Sequence, residues 1–214
     1  MGYINIILLI YIEILHKNWR MLMIYQGFAI VILVIFYAIY IGKIIGQRKK
    51  GIQTDQIAKG KKDKKLMIVE ILMKIATYSI VVVELISIFM NTSTMPNWIR
   101  IVGISFGIIG DTVFGVAVYT MKDSWRAGIP ENDKTTIVTD GIYSLSRNPA
   151  FLRFDLVYIG ILFMFFNWTL LIFTIFSILM LHLQILQEEK FLPTVFGDDY
   201  IDYSKRVCRY IGRK

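Results

Sequence analysis

"GIYSLSRNPAFLRFDL", residues 141–156, puts Arg147-Asn148-Pro149 directly before one of the most apolar stretches of the chain. Proline suits the first turn of a helix, where its missing N–H leaves no hydrogen bond unmade. A helix is therefore expected to start at Pro149, with Arg147 and Asn148 just outside it. Residues 151–187 stay apolar over a length that suits two short antiparallel helices, with Asn167-Trp168 as the turn. The second arm of such a hairpin returns to the level at which the first began. Gln187-Glu188-Glu189 then faces Arg147, and the free N–H groups of the helix start can receive an anionic group.

Outward from the hairpin the same pattern recurs. Of the 214 residues, 56% are hydrophobic, above the 45–50% usual for soluble domains, and the mean hydropathy is +0.57. The apolar residues fall in runs at 21–41, 66–90 and 99–121, each near the roughly 20 residues that cross a bilayer. Residues 3–15 are apolar but short, with no basic segment ahead of them, and read as an interfacial helix. The expected fold is an all-α integral membrane protein of about five transmembrane helices, with a C-terminal hairpin and a cytoplasmic amphipathic tail helix. Residues 1–97 form the N-terminal membrane helices with a basic loop; residues 98–214 form the core that carries the candidate site.

The formal charge of +8 comes from 24 Lys and Arg against 16 Asp and Glu. These charges cluster between apolar runs, which membrane topology requires and which argues against nucleic acid as a partner. The basic loop at 46–65 and the tail, with Lys205, Arg206, Arg209, Arg213 and Lys214, fall on one side when spans are counted. Positive residues stay inside, so the tail is expected in the cytoplasm and the N-terminus outside. The loop reads as a solvated linker. A single cysteine, Cys208, and two histidines, His16 and His182, leave no metal site of the usual ligand sets.

Within the spans, Gly103 and Gly107 make a small-xxx-small pair that lets another helix approach closely. Asp111 near mid-membrane needs a partner or a polar cavity; Lys74 is one candidate partner and a cofactor pocket the alternative. Glu70 and Lys74 stand at i,i+4 and can neutralise each other. Glu84 has no partner nearby in sequence. Adjacent glutamates on a helix point about 100° apart, so one of Glu188 and Glu189 can contact a ligand while the other holds structure. His182 shares a face with Glu189, and Gln184 with Glu188. The tail carries Tyr200, Tyr203, Val207 and Tyr210 at helical spacing, with Asp202 and Arg206 as an i,i+4 pair.

This ordered set resembles a known pattern. Gly141, Tyr143, Arg147-Asn148-Pro149, a hydrophobic hairpin, Glu188-Glu189, Phe196-Gly197, Tyr200 and Tyr203 are similar to the isoprenylcysteine carboxyl methyltransferase family and the related phospholipid methyltransferases. "DSWRAG" at 123–128 is similar to the segment ahead of the motif in bacterial members. The resemblance implies S-adenosylmethionine as methyl donor, bound at the cytoplasmic face between the hairpin ends and the tail. It implies Arg147, Asn148 and Glu188 as the catalytic set. It implies Tyr143, Arg147, Asn148, Pro149, His182, Glu188, Glu189, Tyr200 and Tyr203 as the donor-binding set. The implied acceptor is a lipophilic small molecule or a prenylated cysteine, met at the bilayer. Methyl transfer is an in-line displacement, so alignment and electrostatics carry it, and a carboxylate acceptor needs no general base.

Two departures from the family pattern stand out. Asn148 replaces the histidine of the eukaryotic-type motif and does not titrate near neutral pH. Arg153 stands where glycine is usual, where its bulk can block close helix packing or its charge can meet Asp155 or a lipid phosphate. Two rival readings share the hydrophobic C-terminal pattern: an NADPH-dependent membrane reductase of the sterol-reductase type, and a non-catalytic membrane protein of the same fold.

Overall fold

The computed structural model describes the backbone of residues 2–59, 62–128 and 135–214, with side chains from Met23 onward. The described residues build five helices and no strand. They are α1 (Gly2–Lys49), α2 (Lys64–Met90), α3 (Asn97–Met121), α4 (Pro149–Met164) and α5 (Trp168–Arg206). Single turns of 3₁₀ helix at Lys122–Ser124 and Gly141–Ser144 lie between α3 and α4. Four stretches are long and apolar enough to cross a membrane: Met23–Lys49, Lys64–Met90, Asn97–Ser124 and Trp168–Arg206. The protein is a multi-pass membrane protein. The α4 helix has 16 residues, or about 24 Å, less than the hydrocarbon thickness of about 30 Å. It forms the shorter arm of the hairpin. Residues 3–15 continue into α1 without a break; whether they lie in the interface falls outside the described side chains.

The α4 helix begins at Pro149, as the sequence predicts, and the hairpin turns at Asn167. There the Asn167 side chain accepts a hydrogen bond from Leu170 N–H (2.9 Å) and donates to Ser87 on α2 (2.9 Å). Apolar burial gives helices little mutual attraction inside lipid, so close backbone approach decides which ones pack. The tightest pairing is α3 with α4. A Cβ on Gly160 would meet the Gly103 carbonyl oxygen at 2.6 Å, and one on Gly103 would meet the Gly160 oxygen at 2.5 Å. On the other side of α3, Gly107 makes room for Ile32 of α1. The predicted small-residue pair therefore serves two neighbours, one glycine principally for α4 and one for α1. Of the remaining helices, α2 packs along α5, and α1 scarcely touches α2.

Several expected charge pairings are replaced by longer-range ones. Glu70 meets Lys62, not Lys74: Lys62 Nζ reaches both carboxylate oxygens (2.8 and 2.7 Å), and Ala58 N–H donates to one of them (2.6 Å). Both partners are buried, with 4% and 0% of their side chains exposed. The described parts of the basic loop, residues 46–59 and 62–65, are thus tied to the helices rather than forming a free solvated linker. It is further held where Asp55 bridges Ala127, Gln56 N–H donates to the Ala127 carbonyl (2.8 Å), and Gln47 Nε2 donates to the Trp125 carbonyl (3.0 Å). Asp111 meets Arg153 across the α3–α4 contact (3.5 Å), not Lys74. Arg153 does not obstruct packing. Its backbone joins the close approach to Gly110, while its guanidinium lies over the Phe36 ring of α1 at 3.3 Å. In the tail, Asp202 pairs with Lys205 (2.8 Å), and Arg206 Nε donates only to the Asp202 carbonyl (3.3 Å).

The α5 helix is interrupted at Gly197, whose φ of 56° and ψ of −134° are not helical. That conformation is open to glycine at little cost, and it redirects the chain into a last short helical run. Tyr200, Tyr203 and Val207 are buried on the inner face of that run, against Ile137, Leu192 and Phe196, while Ile201, Asp202, Lys205 and Arg206 are exposed.

Candidate functional site

The site forms where the start of α4, the far end of α5 and the tail converge. Glu189 is its knot. One carboxylate oxygen accepts from Arg147 Nη2 (2.8 Å) and Asn148 Nδ2 (3.1 Å). The other accepts from Arg209 Nε (2.9 Å) and Nη2 (2.8 Å). Charge-assisted bonds of this kind are about twice as strong as neutral ones. Arg209 is held above the ordinary guanidinium value by its hydrogen bond to Glu189.

The tail is stitched to the 141–148 segment by further bonds. Arg147 N–H donates to the Cys208 carbonyl (3.1 Å), and Gly212 N–H donates to the Leu145 carbonyl (2.7 Å). Arg147 Nη1 donates to the Ser204 carbonyl (2.9 Å), and Asn148 Nδ2 also reaches the Arg209 carbonyl (3.2 Å). Tyr203 Oη donates to the Tyr143 carbonyl (2.6 Å). Burial, with the Tyr203 and Glu188 charges adding to it, pushes the Tyr143 phenol well above its usual range. Tyr143 is therefore a neutral hydrogen-bonding group at any ordinary pH.

Under this framework lies a cavity of about 340 Å³, within the range of small-molecule sites. Its wall includes Tyr143, Arg147, Asn148, Pro149, Glu188, Tyr200 and Tyr203. Seven of the nine residues expected to bind a donor thus come together, from three separate chain segments. The other two do not line it. Glu189 is taken up by Arg147, Asn148 and Arg209. His182 is turned to the tail, with Nδ1 2.7 Å from Tyr210 Oη and the two rings stacked. Glu188 instead faces the cavity and is oriented by Gln184 Nε2, which donates to it at 3.0 Å.

A second cavity, of about 190 Å³, runs from this point between the helices, with walls from α1, α2, α3, α4 and α5. The two share Trp125, Arg126, Gly128, Ala150, Phe151 and Glu188. Tyr37, Met73, Thr77, Val81, Glu84 and Tyr158 line the inner part. Sequence reasoning did not find this second chamber. Its walls come from five helices, and an apolar side chain facing a cavity looks the same in sequence as one facing lipid. Among the described residues no group of histidine, cysteine and carboxylate side chains is arranged to hold a metal.

Residues 102–194 match the isoprenylcysteine carboxyl methyltransferase (ICMT) family. The match begins in α3, takes in both arms of the hairpin, and ends just past Glu188-Glu189. Two similar proteins are named protein-S-isoprenylcysteine O-methyltransferase. The Xenopus laevis protein is 28% identical over 115 residues, covering 52% of this chain and 40% of its own. The Rattus norvegicus protein is 26% identical over 129 residues, covering 56% of this chain and 44% of its own. The chain thus spans less than half the length of these curated relatives. The stretch from α3 through the glutamate pair of α5 is therefore similar to the isoprenylcysteine carboxyl methyltransferase family.

Proposed function

We propose that the protein is an S-adenosylmethionine-dependent methyltransferase whose acceptor is lipophilic, of the isoprenylcysteine type. The observation that carries this reading is the pair of cavities meeting at Glu188. One is polar-edged and enclosed by the tail; the other is apolar and sunk among the membrane helices. A two-substrate transfer between a polar donor and a lipid-like acceptor needs that geometry.

The residues present fit the donor. Tyr200 Oη and Arg147 Nε are buried without a hydrogen-bond partner in the described structure, and both residues line the larger cavity. Asn148, at the cap position of α4, makes no side-chain cap bond to the first turn, so N–H groups at Ala150 and Phe151 remain to receive an anionic group. When bound, the donor supplies an electrophilic methyl group on a sulfonium centre. Glu188 offers a carboxylate to its cationic or hydroxyl groups, Tyr200 offers a hydroxyl, and Arg147 with the α4 start favours its carboxylate. Glu189 positions Arg147 and Asn148 and ties the tail over the cavity, which excludes water and fixes orientation. A carboxylate acceptor requires no proton removal, in keeping with Asn148 at the motif position. The two basic segments, the 46–65 loop and the tail, lie at the same end of the bundle as the site, so that end is assigned to the cytoplasm.

Calorimetric titration of the detergent-purified protein with S-adenosylmethionine and S-adenosylhomocysteine tests this reading. Saturable binding is expected, weakened roughly 10- to 100-fold by Glu188→Gln, the usual worth of a hydrogen bond to a charged group. Methyl transfer to an S-prenylated cysteine is expected in the same preparation. Binding of NADPH instead would move the protein to the reductase class. Binding of neither by folded protein would leave a fold kept without its chemistry.

A further inference from the structure

The floor of the inner cavity carries a group that an apolar chain has no use for. Glu84 is fully buried on α2, lines the cavity, and has no hydrogen-bond partner at either carboxylate oxygen. The cations within the cavity wall do not resolve this. Arg153 is stacked on Phe36 and extends to Asp111, with its own Nε unpartnered, and one Asp111 oxygen is also unpartnered. Two carboxylates therefore share one guanidinium, and the hydrogen-bonding deficit falls on Glu84. Lys74 lines the same wall, but ten residues and about 15 Å toward the other end of α2. Unsatisfied polar groups are rare in native interiors and costlier still in a membrane, where a carboxylate marks a ligand or ion position.

We infer that the inner cavity binds an acceptor whose buried chain carries a hydroxyl group at its far end, hydrogen-bonded to Glu84. A hydroxyl serves either form of the side chain: it donates to a carboxylate, and it both donates to and accepts from a carboxylic acid. The wall of the inner cavity includes Leu33, Phe36, Val81, Val157 and Leu181, which suits a hydrocarbon chain between reacting head and hydroxyl. This inference rests on the methyltransferase reading only for which end of the acceptor reacts.

The test is binding of two probes to the full-length protein in detergent: S-dodecylcysteine and its ω-hydroxy analogue, each titrated without donor. The wild-type protein should bind the hydroxy probe about tenfold more tightly, the net effect of one hydrogen bond to an otherwise unpaired buried group. Glu84→Gln, which keeps a donor and an acceptor, should retain the preference, and Glu84→Leu should invert it. Equal or tighter binding of the plain probe by wild type, or a hydroxyl preference that survives Glu84→Leu, overturns the inference. S-adenosylmethionine is titrated into the same samples. Absent donor binding with an intact probe preference refutes the methyltransferase reading alone; normal donor binding with no preference refutes this inference alone.

Discussion

Glu189→Gln and Glu188→Gln exchange neighbouring carboxylates for amides, and the structure predicts opposite consequences. Glu189 accepts four bonds, from Arg147, Asn148 and twice from Arg209. Its side chain is 11% exposed and that of Arg147 8% exposed. Removing one partner of a buried pair costs about 3–5 kcal/mol, because the remaining charge stays desolvated. Two features lower that figure here. Arg147 keeps its bond to the Ser204 carbonyl, and the Arg209 side chain, 36% exposed, recovers most of its loss in water. The amide also retains one acceptor oxygen. A loss of about 2–3 kcal/mol is expected, concentrated in the tail, because the knot ties Arg209 to Arg147 and Asn148 beside the bonds that hold Cys208 and Gly212. Hydrogen exchange should show residues 207–213 losing protection, and denaturant unfolding in detergent should show the stability loss. Donor binding would fall only as a consequence, and a higher concentration of donor would restore tail protection. Glu188→Gln, facing the cavity, should leave exchange in the tail unchanged and stability within about 1 kcal/mol, since most substitutions away from a paired network cost little, while weakening donor binding directly. If Glu189→Gln costs less than about 1 kcal/mol and leaves tail exchange unchanged, the division of labour between the two glutamates is wrong.

Gly160→Leu should prevent stable assembly of the hairpin on α3, because even a Cβ would meet the Gly103 carbonyl at 2.6 Å; overpacking typically costs about 1–3 kcal/mol and more when backbone must move. Gly115→Ala, whose Cβ has its nearest neighbour at 3.6 Å, should be tolerated in the same thermal assay. Asp111→Leu should destabilise the protein by leaving Arg153 without a carboxylate on α3. The double variant Asp111→Leu/Arg153→Met should recover much of the loss, and equal stability of single and double variants would show that the pair is uncoupled. Lys62→Ala should release the 50–63 loop by leaving Glu70 buried and unpaired, at about 3 kcal/mol, read out as new protease cleavage in that loop with the transmembrane helices intact.

The sequence alone determined the helical membrane character, the hairpin beginning at Pro149 and turning at Asn167, and the meeting of Arg147 with the Glu188-Glu189 end. Each depends on local rules: the length of an apolar run, the fixed φ of proline, and the equal reach of two helical arms. The family resemblance came from the same region and brought Tyr143, Tyr200 and Tyr203 into one candidate set with them. Tertiary structure decided which glutamate faces the cavity, because a difference of about 100° around one helix has meaning only once its neighbours are in place. It turned His182 toward Tyr210, gave Glu70 to Lys62 and Asp111 to Arg153, and folded the basic loop against residues 123–128. Proximity along a helix proposes i,i+4 partners, but in a dry interior a charge takes whichever counter-charge can reach it when the helices close, whatever the sequence separation. The inner cavity and its unpartnered Glu84 were hidden for the same reason: space between helices is a property of their packing, and no single segment of the chain contains it.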